Sequence, residues 1–333
     1  MSFASIRGQD RAVGTLRRAL DRGRLAHALI FAGPAGVGKR TTARALAAAL
    51  LCPNAPGAGC GTCDDCHLVA TGAHPDLFVE DLERAREEKA TATRLSIDQM
   101  RRVRSQLAMR AVRGDKKVGL IDQAELLTPD AQNALLKTLE EPPGPTTLVL
   151  ISTNPDALLT TIRSRCQCLL FAPLERDVVH DLLLSEEVDP AAAESAATLA
   201  DGSLDRARRL AAEGGLEHIS ELRRKLAALQ RSTLPQVLDL AAELAGPRGE
   251  KGRVQQQLNR ATVLEWCRER LLSAAADTQP ADLSETEDHD RLDDVRRALR
   301  RAEKVYATTR EFEKNANSHL AWDRLLLDLR ESR

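Results

Sequence analysis

Gly33-Pro34-Ala35-Gly36-Val37-Gly38-Lys39 has the residue types needed to hold phosphate. It follows the apolar run Ala28-Leu29-Ile30-Phe31 and precedes an Ala-rich segment from Thr41 to Leu51. It therefore reads as strand, loop and helix, the setting a P-loop requires. Glycines let backbone N–H groups turn toward phosphate oxygens, the helix N-terminus adds partial positive charge, and Lys39 adds a full one. One position departs from the pattern. A hydroxyl residue follows the lysine in a P-loop because it ligates Mg²⁺; here the residue is Arg40. Thr41 comes one place late, and one helical step turns a side chain by about 100°, so Thr41 is expected to point away from a metal. Arg40 can offset phosphate charge but cannot coordinate Mg²⁺.

A second departure lies on Val118-Gly119-Leu120-Ile121-Asp122, which has the form of a Walker B strand whose Asp holds the metal. ATPases of the AAA+ type follow that Asp with Glu, which polarises the attacking water. This chain has Gln123, which can hydrogen-bond water but cannot take its proton. Glu125 reads as a structural acid. The expectation is a site that takes ATP or ADP, disfavours Mg²⁺, and hydrolyses slowly or not at all.

Cys52, Cys60, Cys63 and Cys66 form C-x7-C-x2-C-x2-C. Four thiolates suit tetrahedral Zn²⁺, the x2 spacings let neighbouring sulfurs converge, and Pro53, Pro56, Gly57, Gly59 and Gly61 permit the turns. His67 is a weaker alternative for the fourth ligand. With no open coordination position implied, the site is read as structural.

These residues need elements to carry them. Asp76 to Glu80, Val118 to Ile121 and Leu148 to Ser152 read as further strands. Helices are expected after Ser96, as a cap, and after Thr128-Pro129, stopped by Pro142-Pro143-Gly144-Pro145. Glu83 to Thr93 is charged and irregular and reads as a surface loop. Alternating strands and helices give an α/β fold with a parallel sheet. After Pro173 strand signals vanish. Val178 to Leu184, Ala191 to Leu199 and Leu204 to Ala212 read as short helices, then longer ones follow from Leu216, interrupted near Gly246-Pro247 and around Thr278 to Asp290.

The bulk numbers agree. Of 333 residues, 43% are hydrophobic and only 2% aromatic, which suits a helix-rich core. Net charge is −1, with 48 basic against 49 acidic residues, which disfavours a protein whose main task is coating nucleic acid. Met1 to Asp10 lacks an apolar h-region and no stretch reaches membrane-span length, so a soluble cytoplasmic protein without a membrane partner is expected. Cysteines bunched in such a chain suggest metal before disulfides.

His27-Ala28-Leu29, the four cysteines inside the P-loop region, Asn133-Ala134-Leu135-Leu136-Lys137-Thr138-Leu139-Glu140-Glu141-Pro142-Pro143 and Thr161-Ile162-Arg163-Ser164-Arg165-Cys166 together resemble bacterial clamp-loader subunits of DNA polymerase III, of AAA+ type. A weaker likeness reaches the C-terminus, where Asn315-Ala316-Asn317 precedes a segment with Leu320, Leu325 and Leu326. Within that family Arg40, Gln123 and the chain length look like the delta-prime type, in which nucleotide-site decay is common; the tau/gamma ATPase motor is the alternative. The resemblance implies an AAA+ domain over 1–173 with a zinc module at about 52–66, a helical lid over 174–215 and a helical collar over 216–333. It implies a hetero-pentamer with tau/gamma and delta subunits that grips the sliding clamp and places it on primer-template DNA. Arg165 would be an arginine finger reaching a neighbour's ATP. Thr153 and Asn154 resemble the sensor-1 region. Gly202-Ser203-Leu204 matches the motor's second-sensor pattern, with Asp205 where an arginine is expected and Arg206 next to it. Lys137 could contact DNA, or its helix could pack the sheet. Leu238, Val263, Leu264, Trp266 and Leu325 fit a collar surface or ordinary core packing equally. An unrelated P-loop kinase would leave the Ser-Arg-Cys motif and the cysteines unexplained, and an autonomous zinc DNA-binding protein is disfavoured by the charge balance.

Overall fold

A computed structural model describes residues 2–212, 215–246, 250–276, 299–300, 303–304, 307–308 and 318–331. Asn315-Ala316-Asn317 and the break at Thr278 to Asp290 lie outside the described residues, as does Pro247. The chain divides into two compact units, Met1–Arg208 and Arg209–Arg333.

The first unit is built on five strands: β1 (Ala28–Ala32), β2 (Leu77–Glu80), β3 (Lys117–Ile121), β4 (Thr146–Ser152) and β5 (Gln167–Leu170). They lie in the order β2-β3-β4-β1-β5, and every pairing is parallel. The α/β expectation is therefore met. Parallel strands need crossovers, and helices supply them on both faces. Alternate residues serve the two faces. Leu29 and Phe31 of β1 join Val149 and Ile151 of β4 in one core, against α1 (Asp10–Asp21), α2 (Lys39–Leu51) and α3 (Asp64–Thr71). Ala28, Ile30 and Ala32 join Leu148 and Leu150 in the other, against α4 (Leu82–Glu88), α5 (Ile97–Ala108) and α6 (Pro129–Glu140).

Two local expectations need correction. Residues 82–88 form α4, where a surface loop is expected. Asp81 caps that helix by accepting from the Arg84 N–H at 2.9 Å, and Leu82 and Ala85 bury its inner side. The strand β5 has no counterpart in the sequence reading, because only Leu169 of its four residues is buried. After a short α7 (Thr160–Arg163), helices α8 (Arg176–Ser185), α9 (Pro190–Leu199) and α10 (Leu204–Ala211) succeed one another.

The second unit is helical among its described residues: α11 (Gly215–Ala228), α12 (Leu234–Ala245), α13 (Glu250–Ala276) and α14 (Ser318–Glu331). Leu222, Leu226, Val237, Leu244, Val263, Trp322, Leu325 and Leu326 form its core. Val263 and Leu325 are thus packing residues, while Leu238 and Leu320 are exposed. Among the described residues no helix is long and apolar enough to cross a membrane.

Candidate functional site

The sheet's geometry sets the phosphate loop. Strand β1 lies between β4 and the edge strand β5, and residues 33–38 turn from it into α2. Glycine is required at two of the loop positions. A Cβ on Gly33 would lie 2.2 Å from the Phe171 carbonyl oxygen. Gly36 has φ +72°, and a Cβ there would lie 2.3 Å from Ser203 Oγ. That second contact brings the start of α10 onto the loop, and the Leu204 N–H donates to the Gly36 carbonyl at 2.9 Å. Behind the loop, the buried Gln9 donates from Nε2 to the carbonyls of Val37 (3.0 Å) and Ala172 (2.8 Å).

Loop, strand ends and α10 enclose a cleft of about 570 Å³. Of the residues expected to hold nucleotide, Gly36, Gly38, Lys39, Arg40, Thr41, Asp122 and Thr153 line it, whereas Gly33, Pro34, Val37 and Asn154 do not. Val37 is buried, and Asn154 is exposed, with its backbone N–H donating to Ser152 Oγ at 3.1 Å. Lys39 is buried and donates from Nζ to the carbonyls of Gly33, at 2.7 Å, and Pro34. Burial pushes its pKa down, and Glu125, Asp122 and Asp205 pull it back up.

Arg40 lies between two carboxylates. Its Nη2 is 2.7 Å from Asp81 Oδ2 and its Nη1 is 3.6 Å from Asp122 Oδ2. Burial raises the Asp122 pKa, outweighing the pull of Arg40. The other oxygens each accept a backbone hydrogen bond: Asp122 Oδ1 from the Gln123 N–H at 2.9 Å, and Asp81 Oδ1 from the Arg84 N–H. These residues do not fit Mg²⁺, which demands oxygen ligands in near-octahedral geometry. Thr41 is exposed and lines the cleft, against the expectation that it turns away, yet the ion pairs of both carboxylates are with Arg40. Gln123 sits in the left-handed region at φ +54°. Glu125 also lines the cleft and accepts from Thr153 Oγ1 at 2.6 Å and from the Thr153 N–H at 3.3 Å.

Four contributors were not read from the sequence: Gln9, Arg44, Asp81 and Arg208. Arg44 and Arg208 line the cleft. Arg206, the residue weighed as a second sensor, does not: it is buried and paired with Asp201 at 2.9 Å. Helical periodicity could have found the alternative, since Asp205 and Arg208 are three residues apart and share a face. Arg208 is held by Glu186 through Nη2 at 2.6 Å and Nε at 2.9 Å. The same bonds hold the Glu186 pKa below the usual carboxylate range.

The cysteine cluster converges. All four sulfurs lie within 4.8 Å of one another, with Cys52 to Cys63 at 3.7 Å and Cys60 to Cys66 at 3.9 Å. A tetrahedron with Zn–S of about 2.3 Å has edges of about 3.8 Å, so the frame fits Zn²⁺. The N–H groups of Ala55 and Cys60 point at Cys52, that of Cys63 at Cys60 and that of Cys66 at Cys63, which favours thiolates. Donation from the Thr62 backbone leads the effects that pull the Cys60 thiol down to about 5, while burial pushes Cys66 up to about 12. A bound dication lets all four ionise together. His67 is not in the cluster. Beneath it, Asp76 N–H donates to His74 Nδ1, so His74 Nε2 carries the proton that faces Asp65 at 3.2 Å. Asp65 also pairs with Arg113 at 2.6 Å, which ties α3 to the loop before β3.

Arg165 follows α7 and does not line the cleft of its own chain. Its Nη2 is 2.7 Å from Glu140 Oε1 and its Nη1 donates to the Thr161 carbonyl at 3.0 Å. Glu140 ends α6, so the pair joins the two motifs that carried the resemblance.

A family model described as DNA polymerase III, delta subunit, matches residues 8–175. DNA polymerase III subunit delta' of Pseudomonas aeruginosa is 46% identical over 146 residues, 44% of this chain and 43% of that one. DNA polymerase III subunit tau of Salmonella typhimurium is 33% identical over 276 residues, 80% of this chain and 41% of that one. The chain spans about half or less of the length of these relatives. Among solved structures, a DNA polymerase III gamma subunit-related protein from Thermotoga maritima aligns over 96% of this chain and 99% of its own, at 17% identity and a TM-score of 0.44.

Proposed function

The chain belongs to the DNA polymerase III delta-subunit family, and on that premise we propose that it is a non-motor, delta-prime-type subunit of the clamp loader. One observation carries the proposal. The cleft keeps what binds a nucleotide, the glycine loop and Lys39, while Arg40 is ion-paired to the two acids beside it and Gln123 stands where a base is needed. Such a cleft holds ATP or ADP and turns it over slowly or not at all. The tau/gamma motor reading, open on sequence likeness, is disfavoured by the same two residues.

The work of the subunit is then done elsewhere. Arg165 is surface-placed and outside its own cleft, as a finger acting in trans has to be. There its guanidinium would stabilise the charge that develops on the phosphoryl group of a neighbour's ATP. The ion pair with Glu140 holds the side chain near its working position until the neighbour docks. Thr153, pinned by Glu125, is the sensor-1 residue, and Arg208 reports on the lid over 174–215. The helical unit that follows serves as the collar of a hetero-pentamer with tau/gamma and delta subunits. That assembly engages the sliding clamp and primer-template DNA in the cytoplasm. Zn²⁺ bound by Cys52, Cys60, Cys63 and Cys66 would cross-link the loop between α2 and α3.

The test is reconstitution of the loader with Arg165→Ala. Assembly is expected to be unchanged while DNA-stimulated ATP hydrolysis by the complex falls, and Arg165→Lys is expected not to restore it, because an ammonium lacks the planar fork. Unchanged hydrolysis in an assembled complex would remove the finger.

A further inference from the structure

We propose that the cleft takes its nucleoside di- or triphosphate as the free anion, with the Arg40 guanidinium standing where other P-loop proteins hold Mg²⁺. This rests on the nucleotide reading above and adds to it the form of the ligand.

A divalent cation entering the cleft would meet an incomplete set of ligands. The hydroxyl that should ligate it is absent at position 40. Asp122, the carboxylate that should receive it, faces a fixed positive charge at 3.6 Å, and the neighbouring Asp81 is bonded to the same guanidinium at 2.7 Å. An entering Mg²⁺ would have to displace an arginine that never loses its charge, and would be repelled by it on the way. Thr42, the other hydroxyl on the first turn of α2, is already bonded to the Gly38 carbonyl at 2.9 Å.

What the cleft offers in place of a metal is four cations, Lys39, Arg40, Arg44 and Arg208, set beside the carboxylates of Asp122, Glu125 and Asp205. Arg40 presents five N–H donors, of which the carboxylates engage one nitrogen each, and the side chain remains about two-fifths exposed toward the cleft. Arg44 lies four residues further along α2, on the same face. Its Nε is buried and has no hydrogen-bond partner among the described residues. Arg208 enters from α10, where Glu186 orients it. Flat guanidinium forks donate paired hydrogen bonds to phosphate oxygens, whereas a metal ion accepts a lone pair from each oxygen that coordinates it. A polyphosphate stripped of Mg²⁺ brings two more negative charges to these groups. A Mg²⁺ complex brings a dication against Arg40 instead. The two carboxylates thus act as a clamp that aims a built-in cation.

The experiment is calorimetric titration of ATP and of ADP into the full chain, once with excess EDTA and once with excess Mg²⁺. Binding in EDTA that equals or exceeds binding in Mg²⁺, by up to roughly tenfold, is the expected result. Tightening by Mg²⁺ beyond experimental error would overturn the inference and leave the nucleotide reading standing. Absence of binding in both would instead overturn the nucleotide reading, and this inference with it. The Arg40→Thr chain, checked for native circular dichroism, should lose affinity in EDTA and recover it on adding Mg²⁺. If its affinity in EDTA matches the parent's, Arg40 is not the built-in cation.

Discussion

Replacing Arg40 by Met keeps most of the aliphatic stem and removes the guanidinium from between Asp81 and Asp122. The side chains of those acids are only 10% and 16% exposed, so the charge they lose is not replaced freely by water. At an effective dielectric near 20, a unit-charge pair at about 4 Å is worth about 4 kcal/mol before desolvation. Stranding a buried carboxylate costs about 3–5 kcal/mol. Arg40 is itself 41% exposed, which screens the pair, and a loss of about 1–3 kcal/mol at neutral pH is the discounted figure. The pH dependence carries the sharper test. Asp122 already has a raised pKa in the folded chain. Between its ordinary value of 3.8 and the raised one, the folded state binds more protons than the unfolded state, so stability falls as pH rises through that window. Removing Arg40 takes away a lowering influence and widens the window upward. The penalty of the variant should therefore vanish at acid pH, where Asp122 is protonated in both states, and grow toward neutrality. Trp266 and Trp322 both lie in the second unit, so tryptophan fluorescence would report the wrong part of the chain. Hydrogen exchange of the amides of β1 and β3 follows the relevant sheet. A penalty that is the same at acid and neutral pH, or smaller than about 0.5 kcal/mol at neutrality, would refute the charge-clamp reasoning.

Two further outcomes follow from the scaffold. The chain purified without chelators should carry about one Zn²⁺, and Cys63→Ser should lower both zinc content and thermal stability, because Cys52 and Cys66 belong to the first core; metal analysis well below one equivalent would count against the site. Gln9→Met should leave the Val37 and Ala172 carbonyls without their donor, at about 1–3 kcal/mol each. The first unit should then lose about 2–6 kcal/mol by the exchange assay, and a change near zero would show that the brace is dispensable.

What is legible in the sequence is what lies close together along it. The glycine loop, the Walker B strand and the four cysteines each fall within a short window, and their spacing alone dictates strand, turn or sulfur convergence. The three central strands are legible because burial on both faces leaves continuous apolar runs. The helix over 82–88 is hidden because two buried residues, Leu82 and Ala85, are surrounded by charges that face water. The edge strand β5 is hidden because one of its faces is bare. Gln9 acts on residues 28 and 163 positions away, a relation no local pattern carries. The choice between Arg206 and Arg208 turns on helix phase. Periodicity puts Arg208 on the face of Asp205, and the packing of α10 on the loop turns that face to the cleft.

As proposed, the nucleotide cleft has kept binding and lost catalysis. Steady-state ATP hydrolysis by the purified chain, beside an Arg40→Thr, Gln123→Glu double variant, tests it most directly. Nucleotide binding without measurable turnover is expected in the parent, with turnover gained when the hydroxyl and the acid are restored. Brisk hydrolysis by the unmodified chain would contradict it and would make this a motor subunit.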